Sequence, residues 1–512
     1  MREGWPNLSA VNTHVRVVSD LRFPPALVVV LSCALLVHTG CGALRHAVSP
    51  TKFDVVVLNG RVIDPESQLD GVRNVGIVGA KIAMVTTGAI EGDRVIEARG
   101  LIVAPGFIDL HSHGQDAENY VLKAMDGVTT ALELEVGVGD VDRWYAQREG
   151  RALINYGATA GHIPARMAVM HDPGEFLPTG DAAHRAATDA ELAEITRQVT
   201  HGLERGALGV GLGIQYTPAA TRWEVLEMFR VAARFNTPVH VHMRFVGLME
   251  PNGSVDATEE VIAAATLTGA PLHIVHVSSM GLGNTGRLLQ MITEARARGL
   301  DVTTECYPYT AAATRIESGM FDDGWQQRMG ADYHDLQWAA TGERLTAESF
   351  ARYRKTGGRV IGHVIPESAV NEALRSPLTM IASDGRLEHG KGHPRSAGTY
   401  ARVLGHYVRE EKVLTWMEAV RKMTIMPAQR LEQRAPMMRN KGRIKVGADA
   451  DITIFDPERV IDRATYEEPA LPSAGIQHVL IAGVRVVTDG KLVDGVTPGR
   501  PVRAPVKGGR VE

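Results

Sequence analysis

Pro105-Gly106-Phe107-Ile108-Asp109-Leu110-His111-Ser112-His113-Gly114 is the stretch on which the fold turns. A short apolar run opens on Pro-Gly and closes on His-x-His. Period-two alternation along a strand puts both imidazoles on one face at its C-terminal end, where they can share one ion. Alone, such a pair is as readily a buried, hydrogen-bonded couple as a ligand pair, so its surroundings decide. Downstream, apolar strand-like runs alternate with helical stretches such as Asp189–Thr196 and Glu259–Leu267. Strand then helix, repeated over some 300 residues, favours an α/β chain built on a (β/α)8 TIM-like barrel spanning 105–435. No dinucleotide fingerprint or phosphate loop supports an open sheet. In such a barrel the chemistry sits at the C-terminal ends of the strands, so the residues closing each apolar run are the informative ones.

Outward from the barrel, both flanks are β-rich. Residues 51–104 hold short alternating runs (Asp54–Leu58, Val75–Val78, Lys81–Val85) broken by Asn59-Gly60 and Gly79, and 436–500 repeats the texture at 447–456 and 478–487. One small β-sandwich built from both ends of the chain is expected, followed by a tail at 501–512. The segment 311–353, rich in Gly, Trp and charge, interrupts the barrel rhythm and is expected to be an insertion covering the site. Residues 1–50 read as a leader: Arg16 and Arg22, an apolar run from Ala26 to Val37, then His38-Thr39-Gly40-Cys41. Charged, apolar, small is the order of an export signal, and Gly40-Cys41 resembles a lipoprotein cleavage site. The expectation is an exported protein, periplasmic or membrane-anchored through a lipidated Cys41.

Composition narrows the class further. The 512 residues carry a formal charge of -4, which gives no basic field for nucleic acid. Three cysteines, Cys33, Cys41 and Cys306, are too few for a disulfide framework and lack the spacing of a structural zinc site, so any metal is held by His and carboxylate. The candidates recur at the right places. Pro238–Arg244 contains His240 and His242, Pro271–Ser278 contains His276, and Met380–Gly385 places Asp384 after an apolar run. Histidines closing strands one, five and six with an Asp at strand eight form the ligand plan of a catalytic zinc or binuclear site. A bound divalent cation brings its water's pKa to about 7, and a carboxylate beside it can take the proton and pass it to a leaving nitrogen.

The ordered set, with Gly127-Val128-Thr129-Thr130, His242-Met243-Arg244, Tyr307-Pro308-Tyr309-Thr310, Ser383-Asp384-Gly385, His393-Pro394-Arg395 and Gly-Ala-Asp-Ala-Asp at 447–451, resembles the amidohydrolase superfamily and, within it, the N-acyl-D-amino-acid deacylases. The resemblance implies a zinc enzyme, with one or two ions, that hydrolyses the amide of an N-acyl amino acid. It implies that His111, His113, His242 and His276 are metal ligands, that Asp384 is ligand and general base, and that Arg395 holds the substrate carboxylate. Tyr216, Tyr307 and Tyr309 match positions that polarise the scissile carbonyl or bind carboxylate. His162 and His240 are further pocket candidates. His363, closing the run Arg359–Gly362, is expected to end strand seven in a structural role.

Two departures are visible. The deacylases usually carry a Cys after Gly-Val-Thr-Thr, at the end of strand two, whereas this chain reads Ala131-Leu132-Glu133-Leu134-Glu135-Val136-Gly137. Two carboxylates on one face of an apolar strand are costly unless paired or bound to metal. Glu135, nearer the strand's end, is the expected bridging ligand, with Glu133 behind it; pairing with Arg or His across the barrel is the alternative. The only lysines between His113 and Asp384 are Lys123 and Lys355, neither closing a core strand, which disfavours a lysine-bridged plan. After His276 the family tends to have Lys two residues on, where this chain has Ser278. The runner-up readings are another amidohydrolase acting on a dipeptide, cyclic amide or lactone, and a binding lipoprotein that lost catalysis.

Overall fold

The structure is a computed structural model and describes residues 52–507. The leader, Cys33 and Cys41 lie outside the described residues. Among the described residues no helix is long and apolar enough to cross a membrane.

Eight strands follow one another round a single parallel sheet: Phe107–Asp109, Val128–Val138, Asn155–Gly161, Val210–Gly213, Val239–His242, Leu272–Ile274, Val302–Cys306 and Thr379–Ile381. They are barrel strands one to eight. Most are only three to five residues long, and all but one of their positions are buried through strands two to six, which is why they read as bare apolar runs. The seam between strands eight and one is closed by backbone at the site end. Ser112 bridges Gly385, the Asp384 N–H donates to the His111 carbonyl at 2.7 Å, and the Ser383 N–H donates to Asp109 at 3.0 Å. Lys123, buried on the helix Ala117–Met125, adds its ammonium between Asp109 (2.9 Å) and the Ser383 hydroxyl (2.5 Å). Its charge is therefore consumed in locking the seam.

Strands from both ends of the chain meet in one nine-stranded sheet, joined where Ile452–Phe455 pairs antiparallel with Ile102–Pro105. Its apolar core includes Val55, Val57, Ile77, Ile452 and Leu480. Hydrogen bonding runs continuously through this sheet. Pro105 belongs to it and Phe107 to the barrel, so Gly106 is the hinge between the two. A Cβ at Gly106 would lie 2.2 Å from the Thr129 hydroxyl, which leaves only glycine there.

Strand seven corrects the expectation. The run Arg359–Gly362 lies in a separate three-stranded antiparallel sheet, between Ala312–Arg315 and Leu336–Trp338. The insertion therefore continues past 353, and His363 bonds Gln337 at 2.9 Å inside it. The true strand seven, Val302–Cys306, pairs parallel with strands six and eight. Its Val-Thr-Thr-Glu-Cys sequence hides it, because Thr and Glu face a polar barrel interior. The last described segment also does more than trail. Val502 is buried, its N–H donates to the Tyr156 carbonyl at 2.7 Å, and the Tyr145 hydroxyl donates to its carbonyl at 2.7 Å.

Candidate metal centre and active site

Four imidazoles converge at the C-terminal end of the barrel, and each has one ring nitrogen held from behind. His111 Nδ1 meets Glu305 at 2.6 Å, His113 Nδ1 meets Glu133 at 2.8 Å, His242 Nε2 meets Gln215 at 2.6 Å and His276 Nδ1 meets the Ser279 hydroxyl at 3.0 Å. The second nitrogen of each ring faces the centre. Anchoring one nitrogen of a histidine fixes its orientation and tautomer and presents the other as a lone pair, the usual arrangement around a metal.

Two carboxylates fill the middle. Glu135 Oε2 lies 3.1 Å from His113 Nε2 and 3.3 Å from His111 Nε2, while its other oxygen lies 3.0 Å from His242 Nδ1. Asp384 Oδ1 lies 3.3 Å from His113 and 3.5 Å from His111, and its Oδ2 is 3.9 Å from His276. Three overlapping groups could each hold a cation: His111 with His113 and Glu135, His111 with His276 and Asp384, and Glu135 with His242 and His276. Glu135 alone among the carboxylates belongs to two groups through different oxygens. Glu135 Oε1 and His242 Nδ1 are both buried and lie 3.0 Å apart as an ion-pair contact, without the alignment of a hydrogen bond, so neither atom has another partner. Two unpaired polar atoms in a buried centre are costly to each other and to the fold unless a cation satisfies both.

Electrostatics favour positive charge here. Burial raises the carboxyl pKa of Glu135, but the three imidazoles around it, His111, His113 and His242, hold it well below the usual range. Burial likewise works against Asp384, and the Arg395 guanidinium and His111 outweigh it and keep the carboxylate ionised. Burial lowers His111, yet Asp384, Glu305 and Glu135 drive it up to about 10. His276, farther from any carboxylate, is taken down to about 3 by burial and by His242. The carboxylates stay charged, and either protons or a metal must balance them.

The backbone reinforces the site. His276 (φ 32°) and Asp384 (φ 51°) occupy the left-handed region, which non-glycine residues rarely adopt. Strain at two neighbouring functional side chains fits a conformation held for positioning.

Arg395, Tyr216 and Tyr307 lie beside the centre. Arg395 is 1% exposed, forms an ion pair through Nη2 with Asp384 at 2.9 Å, donates from Nη2 to the Ala313 carbonyl at 3.2 Å, and leaves Nε and Nη1 unpartnered. Its guanidinium stacks 4.5 Å over the Tyr307 ring. Tyr216 packs against His242 and receives a hydrogen bond from Thr314 at 3.2 Å. With Val246, Met280, Tyr307, Met320, Phe321 and Val360, Tyr216 lines a cavity that opens onto Asp384 and carries no Lys or Arg in its wall. Half of that wall comes from the insertion.

Four candidates are placed elsewhere. The Tyr309 hydroxyl is directed at Asp462 (3.4 Å), with Arg402 over its ring, away from the cavity. His162 is spent on Glu224 (2.8 Å), which Arg166 also binds. Ser278 is buried off the cavity wall, and its neighbour Ser279 lines the cavity instead, because one step on the short helix Val277–Gly281 turns the side chain by about 100°. His240 is buried against His273 inside the barrel and does not line the cavity.

Glu305 is the residue that sequence reasoning missed. It lies next to the end of strand seven and clamps both His111 (2.6 Å) and His273 (3.0 Å). An acid next to the end of the run Val-Thr-Thr-Glu-Cys, two residues before Tyr307, was the available signal. Glu305→Gln keeps the shape but weakens the hold on His111, and divalent-cation affinity is expected to fall roughly 10–100-fold. Equal affinity in a cation titration would assign Glu305 to packing alone.

Comparison with known proteins places these features. Residues 94–168 and 166–487 match the model of the amidohydrolase family. The chain is 32% identical over 486 residues to N-acyl-D-glutamate deacylase of Alcaligenes xylosoxydans xylosoxydans, covering 85% of this chain and 94% of that one. The crystal structure of N-acyl-D-glutamate deacylase from Bordetella bronchiseptica, in complex with zinc and a phosphonate mimic of the tetrahedral intermediate, superimposes with a TM-score of 0.75. That structure is 28% identical and covers 88% of this chain and 100% of its own. A D-aminoacylase structure described for its binuclear metal centre matches with a TM-score of 0.75 at 26% identity, covering 88% and 100%.

Proposed function

The chain belongs to the amidohydrolase family, and from that premise we propose that it is a zinc-dependent deacylase releasing a free amino acid from an N-acyl-D-amino acid. The observation that carries the reading is the convergence of four back-anchored imidazoles on Glu135 and Asp384. Its likeness to the deacylases supplies the substrate class.

On this reading His111, His113, His242, His276, Glu135 and Asp384 would hold zinc, Glu135 being the carboxylate that faces imidazoles through both of its oxygens. The orphaned Glu135 Oε1 and His242 Nδ1 fit such a group. Bound zinc supplies Lewis-acid polarisation of the carbonyl and lowers the pKa of water to near 7. Asp384 takes the proton of the attacking water as oxygen bonds to the carbonyl carbon, then delivers it to the amide nitrogen as the C–N bond breaks. The products are a carboxylate and an amine. Arg395, with donors at Nε and Nη1 still free, is the group that would take the substrate carboxylate through a charge-assisted hydrogen bond. That new anion offsets the guanidinium's pull on Asp384, so substrate binding restores basicity to the base.

The apolar, cation-free cavity supports a substrate with an apolar substituent, in contrast to the acidic side chain named for the glutamate deacylases. The charged-then-apolar leader supports an exported enzyme held at a membrane through Cys41. The core shared by both chain ends supports a sandwich beside the barrel.

A panel of N-acyl-D, N-acyl-L and dipeptide substrates tests the function with the zinc-loaded protein. N-acyl-D-amino acids with apolar side chains are expected to exceed N-acyl-D-glutamate in kcat/KM by at least about tenfold, because a carboxylate finds no partner in that wall. Equal rates on D and L series would remove the stereochemical assignment. Failure on every linear N-acyl amino acid would remove the deacylase reading.

A further inference from the structure

A second cavity opens at the opposite end of the barrel from the metal centre. It has a volume of about 290 Å³ and lies where strands seven and eight begin, beside the helix Ile425–Leu431. Three guanidinium groups line it, those of Arg296, Arg421 and Arg430, with the amides of Gln429 and Gln433 and a single carboxylate, Asp301. Charge is therefore in excess by two on the positive side.

Arg430 is the unusual member. Its side chain is 4% exposed, and Asp301 engages only Nη1, at 2.6 Å. Nε and Nη2 are buried and unpartnered. Those two N–H groups form the edge along which a guanidinium presents parallel donors to an oxyanion. The same edge is used in this molecule by Arg61, whose Nε and Nη2 bind the two oxygens of Asp70 at 2.7 and 2.8 Å. In Arg430 the edge is formed and no protein oxygen occupies it. Arg296 and Arg421 do not compete for Asp301: Arg296 donates to the Val302 carbonyl at 2.6 Å, and Arg421 donates to the Met426 sulfur at 3.1 Å and the Pro377 carbonyl at 3.5 Å. Burying a guanidinium with two donors unmade, among like charges, is costly unless an anion completes it. Burial is also the first cause that lowers the Arg430 pKa, with Arg296 adding to it.

We propose that this cavity is an anion-binding site that takes a small oxyanion, a phosphate group being the best match to two excess positive charges, with Arg430 as the bidentate anchor and Arg421 at the rim. It is separate from the metal centre, because in a (β/α)8 barrel the chemistry sits at the other ends of the strands. The proposal does not depend on the deacylase assignment.

The test titrates inorganic phosphate, and in a parallel arm acetate, into the zinc-loaded full chain by calorimetry. Since phosphate can also meet zinc, wild type is compared with Arg430→Met and with Arg421→Gln, the latter on a half-exposed rim residue whose loss the fold tolerates. Saturable phosphate binding that weakens at least tenfold in both variants, with amide hydrolysis unchanged, is the expected result. Tighter phosphate than acetate supports a phosphate group as the ligand, and the reverse order overturns that part of the assignment. Identical phosphate affinity in all three proteins, or no saturation in wild type, overturns the site and leaves Arg430 as a structural partner of Asp301.

Discussion

Asp384→Asn is expected to lower kcat/KM by about 10³-fold while the protein keeps its metal and its fold. The amide retains an oxygen to face His111 and His113, which now lie 3.5 and 3.3 Å from Oδ1. Asn also tolerates the left-handed backbone at this position (φ 51°) as readily as Asp, so the loop is not disturbed. What disappears is the group that accepts a proton and returns it. The negative charge facing Arg395 disappears as well, leaving that buried guanidinium free to grip the substrate carboxylate. KM is therefore expected to hold or fall while kcat collapses, the pattern of an interaction needed in the transition state only. Near-normal turnover with metal retained would remove Asp384 from the base role, and loss of metal would reduce it to a ligand.

Glu135→Ala is expected to abolish activity through the metal. One side chain contacts His111, His113 and His242 at 3.3, 3.1 and 3.0 Å, so its removal deprives two adjoining cation positions of their shared anion. The loss in metal affinity should exceed the roughly 10–100-fold typical of residues that only orient ligands. Metal analysis after gel filtration reads this directly. Unchanged stoichiometry would reject the bridging role and assign the carboxylate to an ion pair with the histidines. Glu135→Cys sharpens the result, since a thiolate also binds zinc. Partial recovery of metal in Glu135→Cys, none in Glu135→Ala, separates a missing ligand from a damaged barrel. Glu133→Gln is the companion control, because Glu133 faces His113 Nδ1 and not the centre.

The site was more legible than the cavity around it. His111, His113, His242, His276 and Asp384 each close an apolar run, and a barrel collects the ends of its strands at one rim whatever the loops do. Residues whose orientation depends on a loop or helix were harder. Tyr307 and Tyr309 share one short motif, yet Tyr307 stacks on Arg395 and Tyr309 is turned to Asp462. Ser278 and Ser279 differ by one helical step, and only Ser279 reaches His276. Strand seven was misplaced for a related reason. Val302–Cys306 carries polar residues into a polar barrel interior, while the apolar Arg359–Gly362 run belongs to an inserted sheet with its own core.

His111-Ser112-His113 and the order of the runs after it were enough to determine the barrel, its rim chemistry and the identity of the ligand-type side chains. Those features depend on strand periodicity and on the chain's order, both local. Tertiary structure decided the rest: that Glu135 offers its two oxygens to different imidazoles, that Glu305 stands behind His111, and that an insertion supplies the apolar wall. Each depends on distances between residues far apart in the chain, and a single sequence does not encode such distances in any local pattern. The carboxylate at the heart of the centre was therefore visible as an anomaly in strand two, and its contacts with three imidazoles appeared only when the barrel closed around it.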